Sequence, residues 1–416
     1  MSISRRQVIK GMALAPVAAT GMRALPAIAQ TQGAAASTAA GPFEFVVDRY
    51  ETCLNNARWH PLSLGAKAQV ENYLRFKERG IDRSPNLIDR LQPGVKAQFA
   101  RLINADPREL AYVNSTTAGE TLFAASLGLP ECGGNVVTDA LHFEGSLYLY
   151  GELQKRGVEL RCVRPTKDWR IDPKDMARAI DKNTRLVAIS QVSFINGFQH
   201  DVAAVCKAAH AHGALVYVDA VQAAGCVPVD VRETGVDALG SASYKWLMGD
   251  FGLGFLYVRQ DVMARLKRVV YGYRQFKSFD YHAFPGDPPG SYPASWTQHD
   301  DASGFFEIGT YGNATLAALA YSLQGILDLG VGKIQSHAQQ LIGRLQDELP
   351  RMGYAPMTPR DARSPIATFL VKEPAAVQQR LLKANVDVSI ENARMRISPS
   401  LYNDHDDIDR LLRALA

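Results

Sequence analysis

From about residue 85 onward, the sequence alternates between short apolar runs and longer helix-like segments. Each apolar run is bounded by Gly, Asp or Asn, and the runs are ELAYVN (109–114), NVVTDAL (135–141), RLVAISQVS (185–193), ALVYVDAVQ (214–222) and GFLYVR (254–259). Such alternation predicts an α/β fold, with a mostly parallel sheet sandwiched by helices. Ligands of these sheets bind beyond the carboxyl ends of the strands. The residues that follow each run are therefore the candidate functional residues.

The pattern also predicts a division of the 416-residue chain into domains. We expect an N-terminal segment near the active site at 44–75, a large domain at 76–308 and a smaller α+β domain at 309–416. Within the large domain, 272–306 is rich in Gly, Pro and aromatic residues and lacks periodicity. Because so long a loop in a compact domain is usually functional, we interpret it as an active-site flap.

The N-terminus, MSISRRQVIKGMALAPVAATGMRALPAIAQ, combines a twin arginine, a short apolar run and small residues typical of a cleavage site. It predicts a twin-arginine signal at 1–29 and a linker at 30–43, with export to the periplasm after folding in the cytoplasm. A disordered tail with a chance Arg-Arg pair is the alternative. Four basic residues of this stretch account for the whole net charge of +4, namely Arg5, Arg6, Lys10 and Arg23. The rest of the chain offers no electrostatic case for a nucleic-acid partner.

Three positions carry residues suited to chemistry. Lys245 lies among apolar neighbours in SASYKWLMG, an environment that lowers a lysine pKa and suits Schiff-base formation. Asp219 ends a strand-like run, and the turn 115–117 (Ser-Thr-Thr) opens a helix, where hydroxyls and free N–H groups bind phosphate. Pyridoxal phosphate (PLP) requires a lysine, a carboxylate and a phosphate site together.

Each of these residues also has a structural interpretation. Ser and Thr cap helices in proteins of every class, Asp219 could cap a helix, and Lys245 could be a surface lysine. The five cysteines show no spacing typical of metal ligands, and no cluster of His and carboxylates surrounds Asp219, so the sequence predicts no metal site.

The segments YVDAVQAAG, ASYKWLMGDFGLGFLYV and FEIGTYGNA resemble the class V aminotransferase family of fold-type I PLP enzymes. This family includes cysteine desulfurases, selenocysteine lyases, kynureninases and isopenicillin N epimerase, and the LNNA and YKWL segments are most similar to the last. The resemblance runs from CLNNARWHPLS (53–63) to MRISPSLYNDHDDIDRLLRAL near the C-terminus. It implies PLP as cofactor, a small amino acid as substrate and a homodimer with the active site at its interface.

The resemblance also implies roles for individual residues. Lys245 matches the Schiff-base lysine, Asp219 the partner of the pyridinium nitrogen and Gln222 the residue near the ring hydroxyl. The other cofactor matches are Ser115, Thr116, Thr117, Ser243 and Tyr244 at the phosphate, His142 (with Phe143 as the alternative) stacked on the ring, and Gly309 and Thr310 in the loop that reaches the neighbouring subunit's phosphate. For the substrate, Arg396 matches the arginine that binds the α-carboxylate, and Asn56 is a second candidate.

Two departures from the family pattern affect the predicted reaction. Cysteine desulfurases carry a persulfide-forming cysteine shortly before the carboxylate-binding arginine, whereas the last cysteine of this chain is Cys226. Phe194 stands where several relatives place an asparagine, and Asn196 is displaced from that position. We therefore expect a PLP enzyme that acts at the α-carbon, of the aminotransferase or epimerase type. The alternatives are a β- or γ-elimination lyase of the selenocysteine lyase or desulfurase-like group, and an exported non-catalytic binding protein.

Overall fold

A computed structural model describes residues 43–47, 51–80 and 86–416. The predicted signal at 1–29, and the linker at 30–43 except Phe43, lie outside the described residues and stay predictions. The strands are β1 Thr52–Cys53, β2 Leu110–Val113, β3 Asn135–Asp139, β4 Glu159–Val163, β5 Thr184–Ser190, β6 Leu215–Asp219, β7 Ala238–Ala242, β8 Gly254–Val258, β9 Phe276–Tyr281, β10 Ala294–Gln298, β11 Ala367–Leu370, β12 Val386–Asp387, β13 Ser389–Glu391 and β14 Arg394–Ile397.

Helices cover the sheet and follow most of its strands. They are α1 Leu64–Arg79, α2 Leu87–Ile103, α3 Thr116–Ser126, α4 Glu144–Lys155, α5 Pro173–Ala179, α6 Val202–His210, α7 Val231–Thr234, α8 Gln260–Met263, α9 Ala302–Phe306, α10 Asn313–Leu329, α11 Val331–Arg351, α12 Pro374–Lys383 and α13 His405–Leu415.

The central sheet has seven strands in the order β2-β8-β7-β6-β5-β3-β4. The neighbours from β7 to β4 pair in parallel, and β8 is antiparallel to both β7 and β2. Strands β2, β3, β6 and β8 are buried along their whole length, which explains their apolar runs. The predicted α/β class with a mostly parallel sheet is confirmed.

Strand β7 was not among the predicted runs because its sequence, ALGSA, has no β-branched or aromatic residue. Small residues are needed here for packing. A Cβ built at Gly240 would lie 2.1 Å from the Tyr217 hydroxyl oxygen and 3.2 Å from the Thr116 methyl group. Close packing of β7 against these side chains therefore excludes larger residues.

Buried side chains form three clusters. Two are built on the sheet, and the second of them includes residues of α3 and α4. The third joins Leu54 to residues of 341–415, around the three-stranded antiparallel sheet β11-β14-β13. Helix α10 packs against α1 and α2 and contributes to the first cluster. The domain boundaries predicted at 76 and 309 stay predictions.

The segment 272–306, which we expected to be an irregular flap, contains an antiparallel hairpin of β9 and β10. Nearly all side chains of this hairpin are exposed, so its sequence does not show the alternation of polar and apolar residues that a half-buried strand has. Phe279, Tyr281 and Trp296 are 37%, 54% and 50% exposed. Its role as an active-site flap stays a prediction.

Within the described part of the chain, no single helix has the length and apolar character needed to cross a membrane. Helices α10 and α11 meet these criteria only when taken together, and they are bent by 80° where they meet.

Candidate active site

The candidate residues converge on one edge of the central sheet. Strands β3, β5, β6 and β7 run in parallel, and β2 has the same direction because both β2 and β7 are antiparallel to β8. Their carboxyl ends therefore share an edge. The residues at or just after these ends are Ser115–Thr117, His142, Ser190, Asp219 and Lys245.

Lys245 lies in the turn that follows β7 and is 8% exposed. The turn is tight: the Met248 N–H donates to the Lys245 carbonyl at 2.9 Å, and Met248 has a φ of 55°. Burial lowers the pKa of Lys245 to about 8, although the Asp219 carboxylate opposes this effect. With that pKa, roughly a tenth of the amine is unprotonated at pH 7, which is the nucleophilic form.

Asp219 is the last residue of β6 and is 2% exposed. Its Oδ1 accepts a hydrogen bond of 2.9 Å from the Val221 N–H. Burial raises the pKa of this carboxyl group to about 6, against the lowering influence of His142 and of the Val221 N–H. Asp219 is therefore mostly ionised at neutral pH and can pair with a cation.

The turn 115–117 offers donors for a phosphate at the N-terminus of α3. Ser115 caps this helix, because its Oγ accepts from the Ala118 N–H at 3.1 Å. The Thr116 Oγ1 atom is buried and has no hydrogen-bond partner. Thr117 and Ser115 line a cavity of about 830 Å³. A bound phosphate would supply the acceptor that the Thr116 hydroxyl lacks.

Gly309 and Thr310 line the same cavity within the single chain. Thr310 is exposed and Gly309 partly buried. That these two residues reach the phosphate of a neighbouring subunit, and that the protein is a homodimer, stay predictions.

Two neighbours of Lys245, Tyr244 and Ser243, differ in whether their hydroxyls are already bonded within the protein. The Tyr244 ring stacks on Phe251 with centroids 4.4 Å apart and is partly buried. The Ser243 hydroxyl lies instead between the carbonyl oxygens of Asp250 and Leu253, the second at 2.8 Å. The Ser243 donor thus holds the loop after Lys245, and the phosphate role expected for Ser243 stays a prediction.

His142 does not occupy the stacking position expected for it. Its ring is fully buried, Nδ1 lies 2.8 Å from the Ser190 Oγ, and Nε2 lies 3.1 Å from a Glu120 carboxylate oxygen. Phe143, the alternative, is partly buried and packs edge-on against Phe194 at 5.5 Å. Because the His142 ring is fully buried, the geometry favours Phe143 over His142 for the stacking role, which stays a prediction.

Asn56 is also placed differently from its expected substrate role. It is fully buried, its Nδ2 donates to the Ser398 carbonyl at 2.9 Å, and its Oδ1 accepts from the Tyr402 hydroxyl at 2.8 Å. With its amide satisfied inside the protein, Asn56 joins the N-terminal segment to the C-terminal part of the chain. Both amide donors of Asn56 are used within the protein, and the substrate contact predicted for it stays a prediction.

Gln222 and Asn196 connect backbone segments around the site. Gln222 donates to the Ala57 carbonyl at 2.9 Å and accepts from the Trp246 indole N–H at 2.8 Å. Asn196 donates to the carbonyls of Trp169 and Met357 at 2.8 and 3.1 Å. The contact of Gln222 with the ring hydroxyl stays a prediction, and Asn196 acts as a structural bridge.

Arg396 reaches the site from β14 of the small antiparallel sheet. One of its terminal nitrogens donates to the Phe194 carbonyl at 2.9 Å, and its Nε is buried without a partner. Burial lowers its pKa, and its charge in turn lowers the pKa of Lys245. A guanidinium with a free donor near the reactive lysine suits a substrate carboxylate.

The sequence analysis missed Glu120, a buried carboxylate that contacts His142, Ser146 and Tyr150. Two spacings could have indicated it. Glu120 lies four residues after Thr116, and Tyr150 lies four after Ser146, so each pair shares one face of its helix.

These residues fit PLP. The site combines a buried lysine of lowered pKa, a buried ionised carboxylate and an unpartnered hydroxyl at a helix N-terminus. Lys245 would hold the aldehyde carbon, Asp219 the ring nitrogen and the turn 115–117 the phosphate. When bound, PLP withdraws electrons from the substrate's α-carbon and makes its proton acidic. Over the residues described, no group of three or more His, Cys, Asp or Glu is placed to bind a metal ion.

Comparisons with known proteins agree with this geometry. A probable cysteine desulfurase of Methanothermobacter thermautotrophicus is 28% identical over 250 residues, 60% of this chain and 59% of that protein. The cysteine desulfurase of Shigella sonnei is 25% identical over 356 residues, covering 81% of this chain and 84% of that protein.

Solved structures share the fold. The apo cysteine desulfurase of Thermococcus onnurineus NA1 superposes with a TM-score of 0.76 at 21% identity, over 89% of this chain and 94% of that one. A complex of the cystine C–S lyase C-DES with its product cysteine persulfide gives 0.77 at 19% identity, over 88% and 97%. The sequence model described as aminotransferase class-V matches residues 71–411. The chain therefore belongs to the class V aminotransferase family and is a PLP-dependent enzyme.

Proposed function

We propose that this enzyme is a C–S lyase that eliminates the sulfur substituent from the β-carbon of a cysteine-type amino acid. With L-cystine, the reaction takes up one water and yields pyruvate, ammonia and cysteine persulfide. The observation that carries the proposal is a PLP site of desulfurase-like architecture in which no thiol is placed to accept sulfur.

The residues of the site can perform each proton transfer of this reaction. Arg396 would bind the substrate's α-carboxylate, which orients the α-hydrogen. The Lys245 amine would take the α-proton, the C–S bond would break with its electron pair on sulfur, and the Lys245 ammonium would protonate the leaving sulfur. The unsaturated amino acid that is released hydrolyses to pyruvate and ammonia.

The backbone shortly before Arg396 forms a tight turn. Strands β13 and β14 pair as an antiparallel hairpin, and only Asn392 and Ala393 separate them. Glu391 pairs directly with Arg394, two residues before Arg396. In this chain, a tight turn therefore stands where the resemblance implies a cysteine-bearing loop.

The five cysteines of the chain do not substitute for that thiol. Cys53, Cys206 and Cys226 are buried, and burial raises the pKa of each thiol. Cys162 is exposed on the edge strand β4, and strands β3, β5 and β6 separate it from β7, the strand that precedes Lys245. Cys132 is exposed but precedes β3, at the amino end of a strand whose carboxyl end faces the site. A five-residue strand separates the two ends by roughly 16 Å.

The relatives favour elimination over the aminotransferase or epimerase type that the sequence analysis placed first. The curated relatives named above are desulfurases, and the C-DES complex holds a persulfide product. Both kinds of enzyme break a C–S bond. Loss of the enzyme thiol removes sulfur transfer to the protein but leaves elimination into solution.

The test is to incubate the PLP-loaded enzyme with L-cystine and with L-cysteine in the absence of a keto acid. We expect pyruvate and ammonia in equal amounts from cystine, together with a persulfide trapped by an alkylating reagent. Lys245→Ala should lower the rate of pyruvate formation at least a thousandfold, because it removes the amine that the proposal assigns to the α-proton. Lys207→Ala, which removes an exposed lysine of α6, is the matched control and should retain full activity.

Other products would overturn the proposal in favour of a specific alternative. Alanine with a protein-bound persulfide would indicate a desulfurase. Product formation only with a keto-acid acceptor would indicate aminotransfer, and loss of optical activity without pyruvate would indicate epimerisation. No reaction with a panel of sulfur-containing and other small amino acids would favour a non-catalytic binding protein.

A further inference from the structure

Behind the cofactor site lies a buried polar cluster that the proposed reaction does not use. It consists of Glu120 on α3, His142 before α4, Ser146 and Tyr150 on α4, and Ser190 at the end of β5. All of them are at most 4% exposed. We call this group the Glu120–His142 cluster.

Glu120 is the centre of the cluster. One carboxylate oxygen lies 3.1 Å from the His142 Nε2 and accepts from the Tyr150 hydroxyl at 2.7 Å, and the other accepts from the Ser146 hydroxyl at 2.5 Å. Three donors to one carboxylate are what a buried anion requires. On the other side of the imidazole, Nδ1 lies 2.8 Å from the Ser190 Oγ.

Asp219 is adjacent to this cluster, because Ser190 and Asp219 are paired across β5 and β6. The charged groups that act on Asp219 are His142, Glu120 and Lys245, and those that act on His142 are Glu120, Asp219 and Asp139. Asp139 is itself paired with His200 at 3.0 Å. Three carboxylates therefore act electrostatically on His142, one of which is the predicted partner of the pyridine nitrogen.

We propose that His142 is a positioning residue: held as a cation by Glu120, it keeps Asp219 ionised and so ready to pair with the cofactor's protonated ring nitrogen. The inference concerns the binding of PLP and is independent of the amino acid on which the enzyme acts. It gives the fully buried histidine an electrostatic role in place of ring stacking.

The direction of the pKa shifts agrees with this geometry. Burial alone would lower the pKa of His142, but the charges of Glu120, Asp219 and Asp139 outweigh burial, and the pKa of the imidazole is raised. At Asp219, burial raises the pKa and His142 is the largest influence that lowers it. Loss of the His142 charge would therefore leave Asp219 protonated at a higher pH.

The pH dependence of PLP affinity reports this effect. An apo protein whose Asp219 is protonated must release that proton before the carboxylate can pair with the protonated ring nitrogen. PLP affinity therefore falls about tenfold per unit as the pH drops below the pKa of Asp219 in the apo protein. For the wild-type protein, we expect this decline to begin near pH 6.

The experiment is a fluorescence titration of apo protein with PLP between pH 5 and pH 8.5. In His142→Gln, we expect the pH at which the PLP affinity begins to fall to move upward by about one to two units, the effect of one charge. A purely structural role would weaken PLP binding equally at every pH and leave the pH of this onset unchanged. That result would overturn the proposal.

A second variant keeps the test valid if His142→Gln fails to fold. Glu120→Gln retains the shape of the side chain but removes the charge that holds His142 protonated. In ¹⁵N NMR of the apo protein, we expect the His142 imidazole to titrate above its usual range in the wild type and below it in Glu120→Gln. A neutral His142 at pH 6.5 in the wild type would refute the proposal.

Glu109→Gln is the matched control. Glu109 is also buried and paired with a cation, Arg232, but it precedes β2 and lies at the opposite edge of the sheet. We expect Glu109→Gln to lower thermal stability without moving the pH at which the PLP affinity begins to fall. A shift equal to that of His142→Gln would count against a specific role for His142.

Discussion

Two clusters of buried polar side chains differ in how completely their hydrogen bonds are satisfied. The cofactor-edge cluster comprises Thr116, Asp219, Lys245 and Arg396, and the Thr116 Oγ1 and the Arg396 Nε have no partner. The terminal cluster comprises Asn56, Ser398, Tyr402 and Asn403. Their side chains form hydrogen bonds with one another and with backbone groups of Cys53, Ala57 and Ser398. Satisfied groups stabilise the fold, whereas unsatisfied ones cost stability and are available to a ligand.

The largest expected effect lies in the terminal cluster. Asn56→Ala should lower the free energy of unfolding by about 2 to 4 kcal/mol, because it removes three buried side-chain hydrogen bonds, to the Ser398 carbonyl, to the Asn403 Oδ1 and from the Tyr402 hydroxyl. Asn55→Ala is the matched control: it removes one hydrogen bond of 3.3 Å to Asp387 and should cost about 1 kcal/mol. Chemical denaturation of the apo proteins measures both.

The same pair distinguishes structure from substrate binding. If Asn56 acts only in the fold, then folded Asn56→Ala enzyme should keep the KM of the wild type. A large rise in KM with unchanged stability would instead restore the substrate role that the sequence predicted, and the two clusters would no longer differ in kind.

The sequence predicted Thr116 and Asp219 because they lie at the ends of recognisable apolar runs, and Lys245 because it stands out among small and apolar neighbours. Strand ends meet at one edge by topology alone, so the grouping of Thr116 with Asp219 did not require a structure. Lys245 and Arg396 were grouped with them by the chemistry of PLP and by the family resemblance.

Other features could not be read from the sequence because they depend on side-chain direction. A one-residue difference decides that His142 turns into the protein while Phe143 faces Phe194. The family resemblance predicts a substrate contact for Asn56, but its amide forms hydrogen bonds with Ser398 and Tyr402, which are distant in the sequence. The hairpin β9–β10 escaped prediction because its exposed aromatic residues show no alternation.

The next expected effect concerns acid stability and His60, which bonds to the residue before Lys245 and to a residue beside the terminal cluster. Its backbone N–H donates to the Tyr244 carbonyl at 3.0 Å, and its Nε2 lies 2.8 Å from the Ser400 Oγ. Burial lowers the pKa of His60 to about 4. The unfolded chain therefore takes up a proton as the pH falls through about 6.5, whereas the folded protein does so only near pH 4. Protonation thus favours unfolding.

Between pH 7 and pH 4.5, this single group should remove about 2 to 3 kcal/mol of stability. A glutamine at this position cannot titrate. The free energy of unfolding of His60→Gln should therefore fall by about 2 to 3 kcal/mol less than that of the wild type over the same pH interval, as measured by urea denaturation at each pH. His212→Gln, on the exposed turn after α6, is the control and should leave the pH dependence unchanged. Equal acid sensitivity of His60→Gln and the wild type would contradict a buried neutral imidazole.

The smallest expected effect tests whether an unpartnered hydroxyl marks the ligand site. Thr116→Val preserves shape and removes only the hydroxyl, so we expect PLP affinity to fall about tenfold, the value of one hydrogen bond to a charged phosphate. Thr138→Val is the matched control, because the Thr138 Oγ1 is equally buried and unpartnered but lies within β3.

Both variants should keep or slightly raise the apo melting temperature, since each removes an unsatisfied polar atom. Only Thr116→Val should weaken PLP binding. A matching loss in Thr138→Val would mean that unsatisfied hydroxyls reflect imperfect packing throughout the sheet, and that position at the carboxyl edge, rather than hydrogen-bond vacancy, defines the phosphate site.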